Sequence, residues 1–212
     1  MVSIYRLKPA FQRLLLPGVR ALAAAGVTAN QVTLAACTAS VALGAGLYAA
    51  DAAPGWFALI PLWMVARMAL NAADGMLARD FGQRSTLGAY LNELTDVVSD
   101  AALLLPFARL SAVDPLWLAA VAVLAALSEL AGVLGQTVGA SRRYDGPMGK
   151  SDRTFVFGAL GLAVALWQPL PAWAGWAVPA VALLTFLTVC NRVRAGLREV
   201  DDANNQRQRH DA

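Results

Sequence analysis

Six stretches of this chain are dominated by apolar residues over lengths close to the roughly 20 that a helix needs to cross a bilayer. They lie near positions 31–50, 55–78, 86–108, 116–139, 154–171 and 174–193. The breaks at 51–55, 79–85, 111–115, 141–153 and 168–171 hold proline, glycine or charge, which suits water or the interface and not hydrocarbon. The pattern predicts an all-α integral membrane protein: a six-helix transmembrane bundle. Ahead of it, residues 4–25 place Leu7, Phe11, Leu14, Leu15 and Val19 at helical spacing with Arg and Lys between them. That predicts an amphipathic helix lying on an anionic membrane surface. After Glu199 the chain is polar without periodicity, and a frayed tail is expected. The expected division is an interfacial segment over 1–27, a membrane domain over 28–198 and a polar tail over 199–212.

Composition excludes the soluble alternative. Hydrophobic residues make up 58% of the 212 positions and charged residues 15%, with a mean hydropathy of +0.53. Soluble domains carry roughly 25% charged residues, so this surface has too few polar groups to face water. The basic N-terminal stretch is interrupted by Pro9 and Pro17, and no cleavable signal peptide is expected. Cys37 and Cys190 lie far apart in apolar runs and read as small buried hydrophobes.

Charge gives the orientation. Arg6, Lys8, Arg13 and Arg20 precede the first span, and Arg79 and Arg84 occupy the second break. Arg142, Arg143, Lys150 and Arg153 occupy the fourth, and Arg192, Arg194, Arg198, Arg207 and Arg209 follow the last span. These are 15 of the 17 basic residues, all on one side of a six-span arrangement. Arg109 alone is on the other side, and Arg67 is inside a span. The basic side is expected to be cytoplasmic, with both termini on it, in a multi-pass protein of the cell inner (plasma) membrane. Trp56, Trp117, Trp167, Trp173 and Trp176 fall at span ends on the opposite side, as an aromatic belt would. No nucleic-acid partner is expected, and His210, the sole histidine, sits in the tail with no metal role expected.

The informative residues are polar ones at hydrocarbon depth. Arg67, Asn71, Asp74, Asn92, Glu93, Asp96, Asp100 and Glu129 all fall inside expected spans, where ionisable groups are costly and usually functional. Arg67, Asn71 and Asp74 share one face of the second helix, and Asn92, Asp96 and Asp100 share one face of the third. A short turn joins these helices, so they are expected to be antiparallel neighbours with facing polar stripes. Converging oxygen ligands of this kind suit a hard divalent cation such as Mg²⁺. Structural hydrogen bonding between helices explains one such residue easily but two aligned stripes poorly.

The run Asn71-Ala-Ala-Asp74-Gly75-Met-Leu-Ala78-Arg79, then eight residues to Gly88, three to Asn92 and three to Asp96, resembles the signature of the CDP-alcohol phosphotransferases. That signature reads D-x2-D-G-x2-A-R-x8-G-x3-D-x3-D. The spacing matches throughout, and Asp74, Gly75, Ala78, Arg79, Gly88 and Asp96 match in identity. Residues 27–33, with Thr28, Asn30 and Thr33, resemble the family's T-P-N-x-x-T stretch, with Ala29 at the proline. Residues 149–154 resemble its G-K-x-K-T stretch. Asn71 and Asn92 stand where the family has its first and third aspartates. Asparagine offers a carbonyl oxygen but no charge, which is expected to weaken binding of one or both cations unless Glu93 or Asp100 compensates.

The resemblance implies attack by an alcohol on the β-phosphoryl group of a CDP-linked donor, with release of CMP. It implies Mg²⁺ (or Mn²⁺) held near Asn71, Asp74, Asn92 and Asp96, with Asp96 as general base and Asp100 as an alternative. Gly75, Ala78 and Gly88 would let the nucleotide approach closely, Arg79 would pair with phosphate, and Thr28, Asn30 and Thr33 would line its pocket. Arg142, Arg143, Lys150, Arg153 and Arg192 are expected to form an acceptor pocket for an anionic head group, although the positive-inside rule alone also accounts for them. Arg67 is expected to neutralise the surroundings of Asn71 and Asp74, and Glu129 to be a hydrogen-bonded group between helices. The basic loops favour CDP-diacylglycerol as donor with a phosphorylated or anionic acceptor, and the resemblance implies a homodimer among membrane lipids. Two rival readings remain: a family member that has lost catalysis and acts as a binding or scaffold protein, and a cation or proton-coupled transporter using the same intramembrane acids. Transport has no need of the G-x2-A-R spacing.

Overall fold

A computed structural model describes residues 7–51, 53–167 and 169–210; the side chains of residues 7–9, 172, 173, 207, 209 and 210 also lie outside the description. The expectations for Arg6, Lys8, Gln168, Trp173, Arg207, Arg209 and His210 therefore fall wholly or partly outside it. Every regular element among the described residues is helical. The order is α1 (Leu7–Ala24), α2 (Ala29–Ala49), α3 (Leu59–Asp80), α4 (Thr86–Leu104), α5 (Pro115–Thr137), α6 (Lys150–Leu166) and α7 (Ala177–His210). Short 3₁₀ turns, Pro54–Ala58, Leu105–Arg109 and Ala172–Trp176, carry the chain into α3, out of α4 and into α7.

Four helical stretches are long and apolar enough to cross a membrane: Ala29–Ala49, Pro54–Asp80, Pro115–Thr137 and Ala174–Gln206. The other two expected spans fall short for evident reasons. α4 carries Glu93, Asp96 and Asp100, and α6 has 17 residues with Lys150, Asp152 and Arg153 in its first turn. The outward faces are apolar: Leu62, Leu94, Val123, Leu130 and Leu183 are all exposed. A girdle of this kind has no partner in water, and the chain is a membrane protein.

Local chemistry sets the helix ends. α1 stops where Gly26 takes φ +77°, and the Val27 amide reaches back to the Leu22 carbonyl at 3.0 Å. That left-handed closure is one only glycine adopts without strain. α2 opens with a reciprocal cap, Thr28 to the Gln31 amide and the Gln31 side chain to the Thr28 amide. Gln83, in the turn after α3, accepts from the Ala29 amide at 2.7 Å and so ties that turn to the start of α2.

The main core gathers Phe57, Phe107 and Phe157, stacked edge-to-face at centroid separations of 5.5 Å, with buried Ile60, Leu103, Val121 and Val164. A second cluster docks α1 through Val19 onto Ala73, Met76 and Leu77 of α3. Leu14, expected on the same apolar face as Val19, points outward. α2 packs against both α3 and α4. At Gly44 an added Cβ would lie 2.0 Å from the Ala102 carbonyl oxygen, so glycine is what allows the α2–α4 approach. α3 and α4 are not close-packed neighbours as expected; long side chains bridge the space between them.

Two further expectations are revised. α7 continues unbroken to His210, through the stretch read as a frayed tail. Glu199 on its surface accepts from the Ser141 amide at 3.0 Å and from the Ser141 hydroxyl at 2.9 Å, which anchors the helix beyond the apolar part. Cys37 and Cys190 are unpaired thiols, each partly rather than fully buried.

Candidate active site

The space between α3 and α4, closed on one side by α2 and on another by the start of α6, collects the signature residues. Asp74, buried on α3, accepts a hydrogen bond at 2.7 Å from Thr33 on α2. Across the space, Asp96 on α4 is met on Oδ1 by Arg67 at 3.1 Å and by the Asn71 amide at 3.3 Å. Its other oxygen, Oδ2, is paired with the Lys150 ammonium at the first turn of α6. Asp74 is near enough to Asp96 and Lys150 to feel both electrostatically. Arg67 and Asn71 of one stripe thus meet Asp96 and Asp100 of the other across helices held apart.

Asp100, one turn beyond Asp96, has a different environment. Arg67 Nη1 donates to its Oδ1 at 2.5 Å, and Arg153 stands 3.7 Å from its Oδ2. Arg67 therefore pairs with the two acids of α4, not with Asn71 or Asp74 beside it on α3 as the sequence suggested. Arg153 also reaches Glu129 at 3.2 Å, and Arg192 reaches the same carboxylate at 3.4 Å. Glu129 is thus an inter-helix group, held between two guanidiniums. Ser128, which the sequence reading passed over, joins them: its hydroxyl accepts from Arg153 at 3.2 Å and its carbonyl accepts from Arg192. A buried serine beside an intramembrane glutamate was the available signal.

The remaining residues divide between the nucleotide side and the loop side. The Arg79 guanidinium folds over Gly75, where a Cβ would lie 3.1 Å from its Nη1. Gly88 lies under the Asn30 amide oxygen, 2.8 Å from where a Cβ would be, so a side chain there would displace Asn30. Ala78 is on the same stretch of α3, between Asp74 and Arg79. Thr28 is occupied as the helix cap described above, and Asn92 turns to Glu93 at 3.3 Å. Glu93 is locked by both terminal nitrogens of Arg142, at 2.5 and 2.8 Å. Arg143 lies apart from the acids of α4: it grips Asp145, at 2.9 and 3.1 Å, and Glu199. This grip holds the Asp145 carboxyl below its ordinary value. The Nε atoms of Arg142 and Arg192 are buried without a hydrogen-bond partner.

The donor set decides what cation the site suits. Among the described residues no three carboxylate, cysteine or histidine side chains form a group that would hold a metal. What the signature positions offer is the carboxylates of Asp74 and Asp96, plus the amide oxygens of Asn71 and Asn92. Asp96 Oδ1 is already met by two protein donors, and its Oδ2 by the Lys150 ammonium.

Acids and bases are thus gathered inside an all-helical membrane fold, between α3, α4 and the start of α6. The family model of the CDP-alcohol phosphatidyltransferases matches residues 26–188, and the chain belongs to that family; it is a phosphatidyltransferase. It is 43% identical over 198 residues, 92% of this chain and 97% of the relative, to the inner membrane protein YnbA of Escherichia coli (strain K12). Its fold is similar to phosphatidylinositol phosphate synthase (PgsA1) of Mycobacterium tuberculosis, solved in complex with manganese and citrate. That likeness has a TM-score of 0.70 at 22% identity, over 85% of this chain and 88% of the other. The same synthase with CDP-DAG bound gives a TM-score of 0.64 over 89% and 92% of the two chains, again at 22% identity.

Proposed function

We propose that this protein transfers a phosphatidyl group from CDP-diacylglycerol to an uncharged alcohol, releasing CMP at the cytoplasmic face of the inner membrane. The reading is carried by one juxtaposition: Asp74 and Asp96, at the signature spacing, share a space with Lys150. In the reaction an acceptor hydroxyl oxygen attacks the β-phosphorus. The new P–O bond forms as the bond from that phosphorus to the bridging oxygen breaks, and CMP departs with the bridging oxygen. Asp96 accepts the hydroxyl proton on Oδ2 once the Lys150 ammonium paired there turns to the donor pyrophosphate. A divalent cation, Mg²⁺ or Mn²⁺, held by Asp74 and Asp96 with the amide oxygens of Asn71 and Asn92, would neutralise the pyrophosphate and ease CMP's departure. Thr33 orients Asp74, Arg79 pairs with phosphate, and Gly75, Ala78, Gly88 and Asn30 shape the nucleotide cleft. Thr28 acts there only by capping α2.

The acceptor assignment follows from charge. Arg142, Arg143, Lys150, Arg153 and Arg192 each have an acidic partner within the chain. A phosphorylated acceptor needs uncommitted cations, whereas a polyol needs hydrogen-bond donors. The unpartnered Arg142 and Arg192 Nε–H groups are donors of the kind a polyol would use. Six crossings with both termini cytoplasmic, α1 on the membrane surface and assembly as a homodimer complete the proposal. The asparagines at positions 71 and 92 favour the second reading, a binding protein without turnover. The experiment is CMP release from CDP-diacylglycerol by the purified protein with Mg²⁺, against a panel of neutral and phosphorylated alcohols. Release with a neutral acceptor supports the transfer, preference for a phosphorylated one reverses the acceptor assignment, and no release from any CDP-linked donor leaves the binding protein.

A further inference from the structure

Arg67 stands where a membrane site can least tolerate a cation without purpose. It is 4% exposed, in the middle of α3, and lies one turn from Asn71. Its guanidinium is divided between two acids of α4, Asp100 at 2.5 Å and Asp96 at 3.1 Å, with the Asp96 carbonyl at 3.2 Å. A planar fork of fixed charge here spans two carboxylates of the facing helix, the role a cation bridging them would have. We infer that Arg67 is a built-in substitute for a second cation, so that the site takes one divalent cation per chain together with the donor pyrophosphate.

Charge counting supports this. Asp96, Asp100 and Glu129 are ion-paired with four bases, Arg67, Lys150, Arg153 and Arg192. Asp74, bound to Thr33, is the fourth acid, and the cluster is neutral. Glu93 and Arg142 cancel separately. The pyrophosphate of a CDP-linked lipid ionises once at each phosphorus, and a single divalent cation together with Arg79 more than balances it. A second would add an uncompensated double positive charge at a depth where net charge is expensive. Asn71 and Asn92 belong to the same arrangement: carboxylates there would add two negative charges and call for a second cation. The departures from the signature and the guanidinium are two halves of one substitution.

The inference rests on the divalent-cation reading above, and its test counts ions and not turnover. Mn²⁺ is titrated into the purified full-length protein in nanodiscs with CDP-diacylglycerol and no acceptor, and bound Mn²⁺ is read by electron paramagnetic resonance. The native protein is expected to saturate at one Mn²⁺ per chain with no spin coupling. The variant Arg67→Gln/Asn71→Asp/Asn92→Asp, checked for helical content by circular dichroism, is expected to saturate at two, with the broadened signal of a coupled pair. Two Mn²⁺ on the native protein, or none, overturns the inference. So does a folded triple variant that stays at one; if that variant does not fold, the native count decides. CMP release measured on the same protein preparations after a neutral alcohol acceptor is added keeps the outcomes apart. Two ions with CMP release sinks the inference and leaves the transfer reaction, while one ion without release sinks the transfer reaction alone.

Discussion

Thr33 Oγ1 lies 2.7 Å from Asp74 Oδ2, a buried contact between residues 41 positions apart. It joins the stretch that opens α2 to the carboxylate of the α3 signature, and it fixes which way that carboxylate faces. Thr33→Val keeps the shape and removes the donor. A hydrogen bond to a buried charged group contributes about 1.5–3 kcal/mol, so CMP release is expected to fall by roughly ten- to a hundredfold. Thr33→Ser should restore most of it. A Thr33→Val protein with undiminished turnover would remove Thr33 from the site.

The topology has its own test. A reporter fused after Ala212 should be cytoplasmic, and a cysteine at Ser111 should label from the periplasmic side. Arg109, the one basic residue expected on that side, stacks on Tyr48 at 4.2 Å and donates to its carbonyl at 3.3 Å, which keeps its charge at the span end. Labelling of Ser111→Cys from the cytoplasm only would invert the bundle and put the acidic site on the wrong face.

Close approach at one glycine predicts opposite effects at two neighbouring positions of α2. A methyl group at Gly44 would meet the Ala102 carbonyl, whereas one at Gly46 would meet nothing within 4 Å. Gly44→Ala should destabilise the protein by about 1–3 kcal/mol through overpacking against a backbone that has no rotamer to yield. Gly46→Ala should be neutral or stabilising by up to about 1 kcal/mol, because alanine is the better helix former. Thermal unfolding in detergent reads both; equal shifts would show that α2 and α4 do not meet at Gly44.

The helical pattern and the stripe of Asp74, Asp96 and their neighbours were readable because each depends on spacing within one or two helices. The pairing of Arg67 was not, because the sequence placed it beside Asn71 and Asp74 on its own helix. Its actual partners are determined by the separation of α3 from α4, which depends on α2 lying against both. The same applies to Arg142, Arg153 and Arg192. Counted along the chain they look like an anion-binding cluster, but Glu93 and Glu129 reach them only once α4, α5, α6 and α7 are assembled. Gln83 and Ser128 escaped notice for a related reason, since a neutral side chain gives no sign in sequence of the backbone it will bind.

Asp96 and Asp100 lie one turn apart on α4 and look interchangeable in sequence, yet their partners predict different losses. Both oxygens of Asp100 face guanidiniums, Arg67 and Arg153, each 5% exposed at the side chain. Asp100→Asn leaves those buried cations undercompensated, a change that typically costs about 3–5 kcal/mol in a buried pair. Its main effect should be a large drop in thermal stability. Asp96 gives one oxygen to the structural pair and the other to Lys150, whose side chain is 29% exposed against 5% for Arg67 and Arg153. Asp96→Asn should therefore remain folded, with a smaller drop in stability, while CMP release falls by more than about a hundredfold through loss of the base. Asp74→Asn should abolish release in the same way, and so should removal of the divalent cation with a chelator. The decisive measurement pairs melting temperature with CMP release for all three variants. If Asp100→Asn is stable but inactive while Asp96→Asn turns over, the roles of the two acids are exchanged and Asp100 is the base.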